Sequence, residues 1–167
     1  MSHLDHRATA PASVRCFVLT ISDTRTEATD TGGKAIVELL AGAGHEVAGR
    51  RIVPDEQARV RTALEEQMAR PDVAAIITTG GTGISSRDGT FETVDSLLDK
   101  KLDGFGELFR MLSFEEIGAA AMLSRACAGV ARGTVILALP GSEHAVRLAM
   151  TKLIVPELAH LVREVSR

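Results

Sequence analysis

The stretch from Val73 to Asp88 constrains the fold of this chain more than any other. An apolar run ends in two threonines and is followed at once by three glycines within four positions, Gly80, Gly81 and Gly83. This order predicts a buried strand that stops abruptly in a loop. Because glycine has no side chain and adopts positive φ readily, backbone N–H groups in such a loop can approach an anion closely. The stretch therefore predicts a phosphate-binding loop, and the alternative is a tight strand-to-helix turn without a ligand.

The residues around the glycines also suit a phosphate. Hydroxyl groups are supplied by Thr79, Thr82, Ser85 and Ser86, a positive charge by Arg87 and a carboxylate by Asp88. Two familiar phosphate-binding fingerprints are not matched, because Ser86 replaces the third glycine of the dinucleotide pattern and no Gly-Lys-Ser/Thr sequence follows. A P-loop NTPase and a nicotinamide dehydrogenase are therefore disfavoured.

Composition sets the class of protein. With 167 residues, 45% of them hydrophobic, the chain predicts one domain with a substantial core, residues 13–167, preceded by a flexible tail over residues 1–12. The net charge of −3 offers no general attraction for nucleic acid or an anionic membrane, so neither is expected as a partner. The two cysteines are far apart and no secretory or membrane-spanning segment is evident, so a reduced cytoplasmic protein is expected.

Apolar runs and turn signals predict alternating strands and helices. Strands are predicted over residues 14–21, 45–53, 73–79, 126–131 and 134–139. Helices are predicted over residues 33–43, 56–70, 90–101, 114–123 and 143–162, the last with a kink at Pro156. The first strand should be central because it is apolar on both faces, and the second should lie at an edge because it is more polar. Together these elements predict a three-layer α/β/α domain with a mostly parallel sheet.

Four predicted strands end in short polar motifs. These are Ser22-Asp23, Pro54-Asp55, the glycine loop with Asp88, and Pro140-Gly141-Ser142. Because the carboxyl ends of parallel strands lie along one edge of a sheet, the motifs should meet at one rim, where α/β sheets bind ligands. Two carboxylates beside a phosphate loop suggest phosphoryl or nucleotidyl transfer, with Mg²⁺ held by the acids. The alternatives are helix capping by Asp55 and a solvated capping loop at Ser22-Asp23.

A further segment, Asp103 to Arg110, places Phe105 between two glycines and follows it with Glu107. Phe105 can stack on a flat ring, and Arg110 can hold an anion. The alternative is a glycine-hinged helix start with Phe105 and Phe109 in the core. The residues alone favour the second arrangement.

Five motifs of this chain occur in a recognisable order and spacing. They are Pro54-Asp55-Glu56-Gln57, Thr78-Thr79-Gly80-Gly81-Thr82-Gly83 with Arg87-Asp88, Gly104-Phe105-Gly106-Glu107 with Arg110, Ser124-Arg125, and Leu139-Pro140-Gly141-Ser142. Together they resemble the MoaB/MogA family of molybdenum cofactor biosynthesis, and the resemblance runs from about Val14 to the C-terminus. It implies a fold with a five-stranded mixed sheet and assembly as a homotrimer, or as a hexamer of two trimers.

The resemblance also implies an activity, the Mg²⁺-dependent transfer of AMP from ATP to the terminal phosphate of molybdopterin. By motif, Asp55 and Asp88 are the acids on which this catalysis depends, and either of them is a candidate for holding Mg²⁺. The residues implied to bind molybdopterin or the nucleotide are Ser22, Asp23, Thr79, Gly80, Gly81, Thr82, Gly83, Phe105, Glu107, Arg110, Ser124, Pro140, Gly141 and Ser142. The alternative is a non-catalytic molybdopterin-binding or carrier protein of the same pathway.

One segment departs from the family's usual pattern. Where the family continues Arg-Asp-x-Thr-Pro-Glu-Ala, this chain has Arg87-Asp88-Gly89-Thr90-Phe91-Glu92-Thr93. A proline preset for the first helical turn is missing, and Gly89 adds backbone freedom beside an expected catalytic acid. A helix is still expected to start near Thr90, with Thr90 as its cap. The missing proline and Gly89 are expected to lower the efficiency of catalytic turnover.

Overall fold

A computed structural model of the chain describes residues 10–167, and it is built on a six-stranded sheet. The strands are β1 (Arg15–Ile21), β2 (Glu46–Val53), β3 (Ala75–Thr79), β4 (Lys100–Lys101), β5 (Cys127–Ala131) and β6 (Thr134–Leu139). Their order across the sheet is β2-β1-β3-β6-β5-β4. The first four in that order run parallel, whereas β5 pairs antiparallel with β6 and β4 pairs antiparallel with β5. The sheet is thus mixed and mostly parallel, with β1 inside it and β2 at an edge, as predicted.

Helices cover both faces of the sheet. They are α1 (Thr31–Gly42), α2 (Gln57–Met68), α3 (Thr90–Leu97), α4 (Asp103–Ile117), a 3₁₀ helix (Gly118–Leu123), α5 (Glu143–Ala149), a π-helical segment (Met150–Ile154) and α6 (Val155–Val165). One buried cluster packs side chains of α1, α4, α5 and α6 on one face of the sheet. A second buried cluster packs α2 and α3 on the other face. Because apolar side chains of the inner strands are buried on both faces, the three-layer α/β/α prediction is confirmed.

The sheet has six strands where five were predicted. The additional strand is the two-residue β4, which the sequence assigned to the end of the helix beginning at Thr90. That helix stops at Leu97, because Leu98 turns to an extended conformation with φ −70° and ψ 126°. Gly129 then permits β4 to approach β5, since a Cβ at this position would lie 2.3 Å from the carbonyl oxygen of Lys100.

Several helix boundaries also differ from the prediction. Gly89, not Thr90, occupies the position before α3, and it makes no side-chain cap. The helix predicted over residues 114–123 is the end of α4, which stops where Gly118 adopts φ +67° and a 3₁₀ helix begins. Near the C-terminus, the π-helical segment immediately precedes α6, whose second residue is Pro156. Such a widened turn is a common way to accommodate a proline that cannot join the regular ladder.

The predicted tail lies mostly outside the described residues, which start at Ala10. Both cysteines are free thiols, and burial raises the pKa of Cys16 to about 12 and that of Cys127 to about 11, so both act as small apolar side chains. Over residues 10–167, no helix is both long and apolar enough to cross a membrane.

Candidate active site

A pocket of about 560 Å³ opens at the edge of the sheet where the parallel strands end. Its lining comes from the segments that follow β1, β2, β3 and β6, together with the end of the 3₁₀ helix. The lining residues are Thr20, Ile21, Ser22, Asp23, Arg25, Asp30, Asp55, Thr79, Gly80, Gly81, Thr82, Gly83, Arg87, Asp88, Leu123, Ser124, Pro140 and Gly141. The four polar motifs therefore meet at one rim, as their positions after parallel strands predicted.

The glycine loop after β3 needs glycine at its first two positions. Gly80 has φ +99°, and a Cβ there would lie 2.1 Å from the carbonyl oxygen of Ile21. Gly81 has φ +72°, and a Cβ there would lie 2.0 Å from Oγ1 of Thr90. Within residues 10–167, the backbone N–H groups of Gly81, Thr82 and Gly83 donate no hydrogen bond to another group of the protein. Three adjacent donors on the pocket wall are thus available to an anion.

The glycine loop is fixed to the loop after β6. The hydroxyl of Thr79 donates to the carbonyl of Pro140 at 2.8 Å, and the N–H of Gly80 donates to the carbonyl of Leu139 at 3.0 Å. Gly141 lies against the same glycine, since a Cβ at this position would be in ordinary van der Waals contact with the Cα of Gly80 at 3.5 Å. Because its hydroxyl is already committed, Thr79 supports the loop and does not serve as the free donor that its sequence position suggested.

Asp55 points its carboxylate at the glycine loop and does not cap α2. The residue before α2 is Glu56, which makes no side-chain cap, so the capping alternative for Asp55 is wrong. Oδ1 of Asp55 accepts from the N–H of Gly89 at 3.4 Å, and Oδ2 would lie 2.9 Å from a Cβ at Gly81. Burial raises the pKa of Asp55, and the negative charges of Asp88 and Asp23 raise it further, against the opposing effect of the Gly89 hydrogen bond.

Asp88, the second predicted acid, closes the glycine loop on its other side. Its Oδ2 accepts from the N–H of Ser85 at 2.8 Å and would lie 2.7 Å from a Cβ at Gly83. Gly89, which follows it, has its N–H directed at Asp55 and its carbonyl bonded to Thr93. Both acids therefore border the same loop, and Gly89 is held through both its backbone N–H and its carbonyl.

Asp23 and Arg87 form a bidentate pair across the pocket. Nε of Arg87 lies 3.0 Å from Oδ2 of Asp23, and Nη2 lies 2.9 Å from Oδ1. Oδ1 also accepts from the backbone N–H of Asp55 at 3.0 Å. The Arg87 guanidinium lowers the pKa of Asp23, with help from the Asp55 N–H. Asp23 thus connects the loop after β1 to the segment that contains Asp55 and to the segment that contains Arg87.

Sequence reasoning gave Asp30 no role in the site, yet it organises the loop that contains Ser22. Asp30 is 2% exposed, caps α1 by accepting from the N–H of Gly33 at 2.9 Å, and accepts from the hydroxyl of Thr20 at 2.6 Å. Gly33 is required there because a Cβ would lie 2.2 Å from Oδ2 of Asp30. The Asp-Thr-Gly-Gly sequence before the first predicted helix was the available signal for this cap. Ser22 itself accepts from the N–H groups of Thr24 and Arg25, which shapes the same loop.

Four predicted ligand-binding residues lie away from the main pocket. Phe105 stacks on the buried Phe109 with ring centroids 6.5 Å apart, which is the core arrangement that the residues favoured. Arg110 donates to the carbonyl of Ala126 at 3.1 Å and to that of Ser124 at 3.4 Å. It also lines, with Glu107, a separate pocket of about 330 Å³ that shares no residue with the main one. Ser142 caps α5 by accepting from the N–H of Ala145.

The acidic groups offer a partial site for a divalent cation. Among the described residues, no three His, Cys, Asp or Glu side chains cluster closely enough to hold a metal ion. Both oxygens of Asp23 are engaged by Arg87, whereas within residues 10–167 Asp55 and Asp88 each keep one carboxylate oxygen that accepts no hydrogen bond. Proteins usually bind Mg²⁺ through one or two carboxylates, and the phosphates of the substrate supply further ligands. The residues present therefore fit a cation that arrives with a nucleotide.

Comparison with known proteins gives a consistent result. Residues 17–160 match the model of a family described as a probable molybdopterin binding domain. Molybdenum cofactor biosynthesis protein B of Halalkalibacterium halodurans is 53% identical, over 100% of this chain and 99% of that protein.

Solved structures agree in fold as well as in sequence. A crystal structure of a molybdenum cofactor biosynthesis protein B superposes with a TM-score of 0.92 at 51% identity, covering 95% of this chain and 99% of the other. The tungsten cofactor synthesizing protein MoaB of Pyrococcus furiosus superposes with a TM-score of 0.85 at 38% identity, covering 95% and 100% of the two chains. The matches cover nearly the whole of each protein, so the likeness is one of the whole domain.

Proposed function

The chain belongs to the MoaB/MogA family and acts in molybdenum cofactor biosynthesis, and on that premise we propose that it is a molybdopterin adenylyltransferase. It binds molybdopterin and transfers AMP from Mg-ATP to the terminal phosphate of the pterin, releasing pyrophosphate. The observation that carries the proposal is the placement of Asp55 and Asp88 on either side of a glycine loop, three of whose N–H groups donate to no group of residues 10–167.

The reaction is an in-line displacement at the α-phosphorus of ATP. An oxygen of the pterin phosphate forms a bond to that phosphorus while the bond to the bridging oxygen of pyrophosphate breaks, so no redox step is involved. Catalysis of this kind rests on positioning and on neutralising charge, because both reactants are anions. The N–H groups of Gly81, Thr82 and Gly83 suit the pterin phosphate, and the loop of Ser22 and Asp23 borders the nucleotide side.

Mg²⁺ supplies charge neutralisation of the phosphates when it is bound with ATP. Asp55 and Asp88 are the residues that would hold it, since their carboxylates make no ion pair like that between Asp23 and Arg87. Arg87 contributes a positive charge at the mouth of the pocket once it leaves Asp23 for a phosphate. The rigid connection of the glycine loop to Pro140 keeps the two sides of the pocket in register.

We also propose that the protein assembles as a homotrimer. The support is a set of exposed apolar side chains on α4 and the 3₁₀ helix, namely Leu108, Met111, Phe114, Ile117, Met122 and Leu123. Isolated exposed apolar residues are ordinary, but a continuous group of this size is typical of an interface. Leu123 also lines the pocket, so the apolar face reaches the rim of the site.

The decisive experiment follows label from the α-phosphate of ATP to molybdopterin in the presence of Mg²⁺. Wild type is compared with Asp55→Asn and Asp88→Asn, and Asp72→Asn is the control because its carboxylate pairs with Arg15 and Arg70 outside the pocket. We expect label on the pterin, with a loss of about tenfold or more in each pocket variant, equivalent to about 1.4 kcal/mol of barrier.

Binding of the pterin separates the two candidate functions. Saturable binding without transfer of label would contradict the adenylyltransferase and leave a binding or carrier protein of the same pathway. A loss of transfer in Asp72→Asn equal to that in the pocket variants would mean that the effect is not specific to the site.

A further inference from the structure

We propose that Arg125 is a positioning residue that holds the glycine loop and Asp88 in their working geometry, and that the ring of Phe91 fixes Arg125 for this task. The inference deepens the proposed function, on which its catalytic consequences rest. Arg125 is absent from the residues that line the pocket, so its side chain approaches the loop from behind. Its influence on a bound phosphate therefore passes through the backbone that it holds.

Arg125 makes an unusual number of contacts with one short stretch of backbone. Its Nε and Nη2 donate to the carbonyl of Gly83 at 2.9 and 2.5 Å, and Nη2 lies 3.4 Å from the carbonyl of Asp88. The backbone N–H of Arg125 donates to the carbonyl of Thr82 at 3.2 Å. By binding these carbonyls, Arg125 fixes the peptide planes of the loop whose N–H groups lie free on the pocket wall.

Two neighbours on α3 hold the guanidinium in place. The carboxylate of Glu92 pairs with Nη1, and this ion pair lowers the pKa of Glu92. The ring of Phe91 lies beneath the guanidinium carbon at 5.1 Å from the ring centroid, a cation–π distance. The Arg125 side chain is 28% exposed, so the stacking occurs in a partly desolvated setting. With its charge matched by Glu92 and its face covered by Phe91, Arg125 has little freedom to leave the loop.

This arrangement gives a physical role to the sequence departure at Phe91. Phe91 is the second residue of α3, not the first, because the helix begins at Thr90. A proline there would suit the first helical turn but would offer no aromatic face to Arg125. Compared with proline, phenylalanine at position 91 leaves the backbone at the helix start less restricted. In return, its ring contacts Arg125, which holds the glycine loop.

The test uses four variants of the full chain. Arg125→Lys keeps the charge but loses the planar fork, and Phe91→Leu keeps an apolar side chain but loses the ring. Phe91→Pro restores the family's usual residue and also removes the ring. The control is Arg61→Lys, because Arg61 pairs with Glu65 and Ser96 and lies outside the pocket.

The first measurement is amide hydrogen exchange over residues 80–89 in the protein without ligands. It is followed at the amides of this segment that are hydrogen-bonded and can therefore lose protection, namely those of Gly80, Ser85, Asp88 and Gly89. We expect exchange in this segment to accelerate about fivefold or more in the Arg125 and Phe91 variants, while β1 and β6 keep their protection and Arg61→Lys matches wild type. The second measurement is AMP transfer, in which kcat should fall about tenfold with KM for ATP nearly unchanged, since the effect is on geometry and not on ATP contacts.

The two measurements separate failure of this inference from failure of the proposed function. Unchanged exchange over residues 80–89 in both Arg125→Lys and Phe91→Leu would overturn the inference, whatever the activity. If wild type transfers no AMP, the proposed function fails, and exchange alone still decides whether Arg125 positions the loop. If Phe91→Pro exchanges like wild type while Phe91→Leu does not, the helix start and not the ring holds the loop, and the part assigned to Phe91 is wrong.

Discussion

The guanidinium of Arg87 is held by the carboxylate of Asp23 through two hydrogen bonds of 3.0 and 2.9 Å. The pair joins the loop after β1 to the segment after the glycine loop, so it bridges the mouth of the pocket. Both side chains remain substantially exposed, at 57% for Arg87 and 40% for Asp23. A solvent-exposed pair of this kind contributes little to stability, and a phosphate can compete with Asp23 for Arg87.

Asp23→Asn should tighten the binding of small phosphate anions. The substitution removes a negative charge from the pocket and frees Arg87, while the amide oxygen can still accept from the N–H of Asp55. We expect the dissociation constant for pyrophosphate, measured by calorimetry, to fall about threefold or more, and the free energy of unfolding to change little, because the pair is exposed to solvent. Glu66→Gln, which breaks the exposed pair with Arg51, should leave the dissociation constant unchanged. An equal constant in Asp23→Asn and wild type would mean that Arg87 does not meet the bound anion.

Asp55→Asn should make the protein more stable at neutral pH while lowering AMP transfer. Burial and the neighbouring charges raise the pKa of Asp55 in the folded state, so the folded protein binds more protons than the unfolded chain over the interval between the two pKa values. Stability therefore falls as pH rises through that interval, and the asparagine removes this cost. The melting temperature of Asp55→Asn should exceed that of wild type at pH 7, and the difference should vanish below about pH 4.

Asp72→Asn should change the melting temperature in the direction opposite to Asp55→Asn. Arg70 and then Arg15 lower the pKa of Asp72, so its ionised form favours folding above the unfolded pKa, and this contribution is lost as pH falls through the folded pKa. The variant should therefore be slightly less stable than wild type at pH 7. A decrease in melting temperature in both variants would contradict the raised pKa of Asp55 in the folded protein.

Gly80→Ala should destabilise the fold as well as the site. The positive φ at Gly80 is unfavourable for alanine, and the new Cβ would meet the carbonyl oxygen of Ile21, a backbone atom that cannot rotate away. We expect a loss of about 1–3 kcal/mol in the free energy of unfolding, measured with denaturant. Gly42→Ala is the control, because it lies in α1 with no atom within 4 Å of the added Cβ, and it should be neutral or slightly stabilising. A loss below about 0.5 kcal/mol at Gly80 would show that the loop relaxes freely.

The sequence predicted the elements whose burial leaves a local pattern. β1, β3 and β6 are continuous apolar runs because both faces of each strand are covered. The Arg132-Gly133 sequence predicted the turn of the hairpin between β5 and β6. Arg132 and Gly133 both adopt positive φ, as that turn requires. The position of the pocket at one rim of the sheet was predictable as well, because the polar motifs come directly after these strands.

What the sequence did not predict depends on partners that are distant along the chain. The strand Lys100–Lys101 exists because Gly129 admits it, and two exposed lysines carry no strand signal of their own. The position of Asp55 before a helix is typical of a helix cap, and only the tertiary structure shows that its carboxylate lies beside the glycine loop. Arg125 lies far from Gly83 in sequence, so its hold on the loop could not be read from spacing.

Phe114→Glu should separate the proposed trimer into single chains. Phe114 lies 62% exposed on the apolar face of α4, and its burial against a second copy would contribute about 1.5–3 kcal/mol, whereas an unpaired glutamate in the same interface would be strongly unfavourable. Sedimentation at micromolar concentration should give three times the mass of one chain for wild type and the mass of one chain for the variant. Arg59→Glu is the control, since Arg59 is highly exposed on α2, on the opposite layer of the sheet.

Because Leu123 belongs both to this apolar face and to the pocket lining, separating the chains should also affect the site. Exposure of Leu123 to water on one side removes packing from the rim, so Phe114→Glu should weaken pterin binding even though Phe114 does not line the pocket. A variant that sediments as a single chain with unchanged pterin affinity would show that each pocket is complete within its own chain. Wild type that sediments as a single chain would contradict the trimer itself.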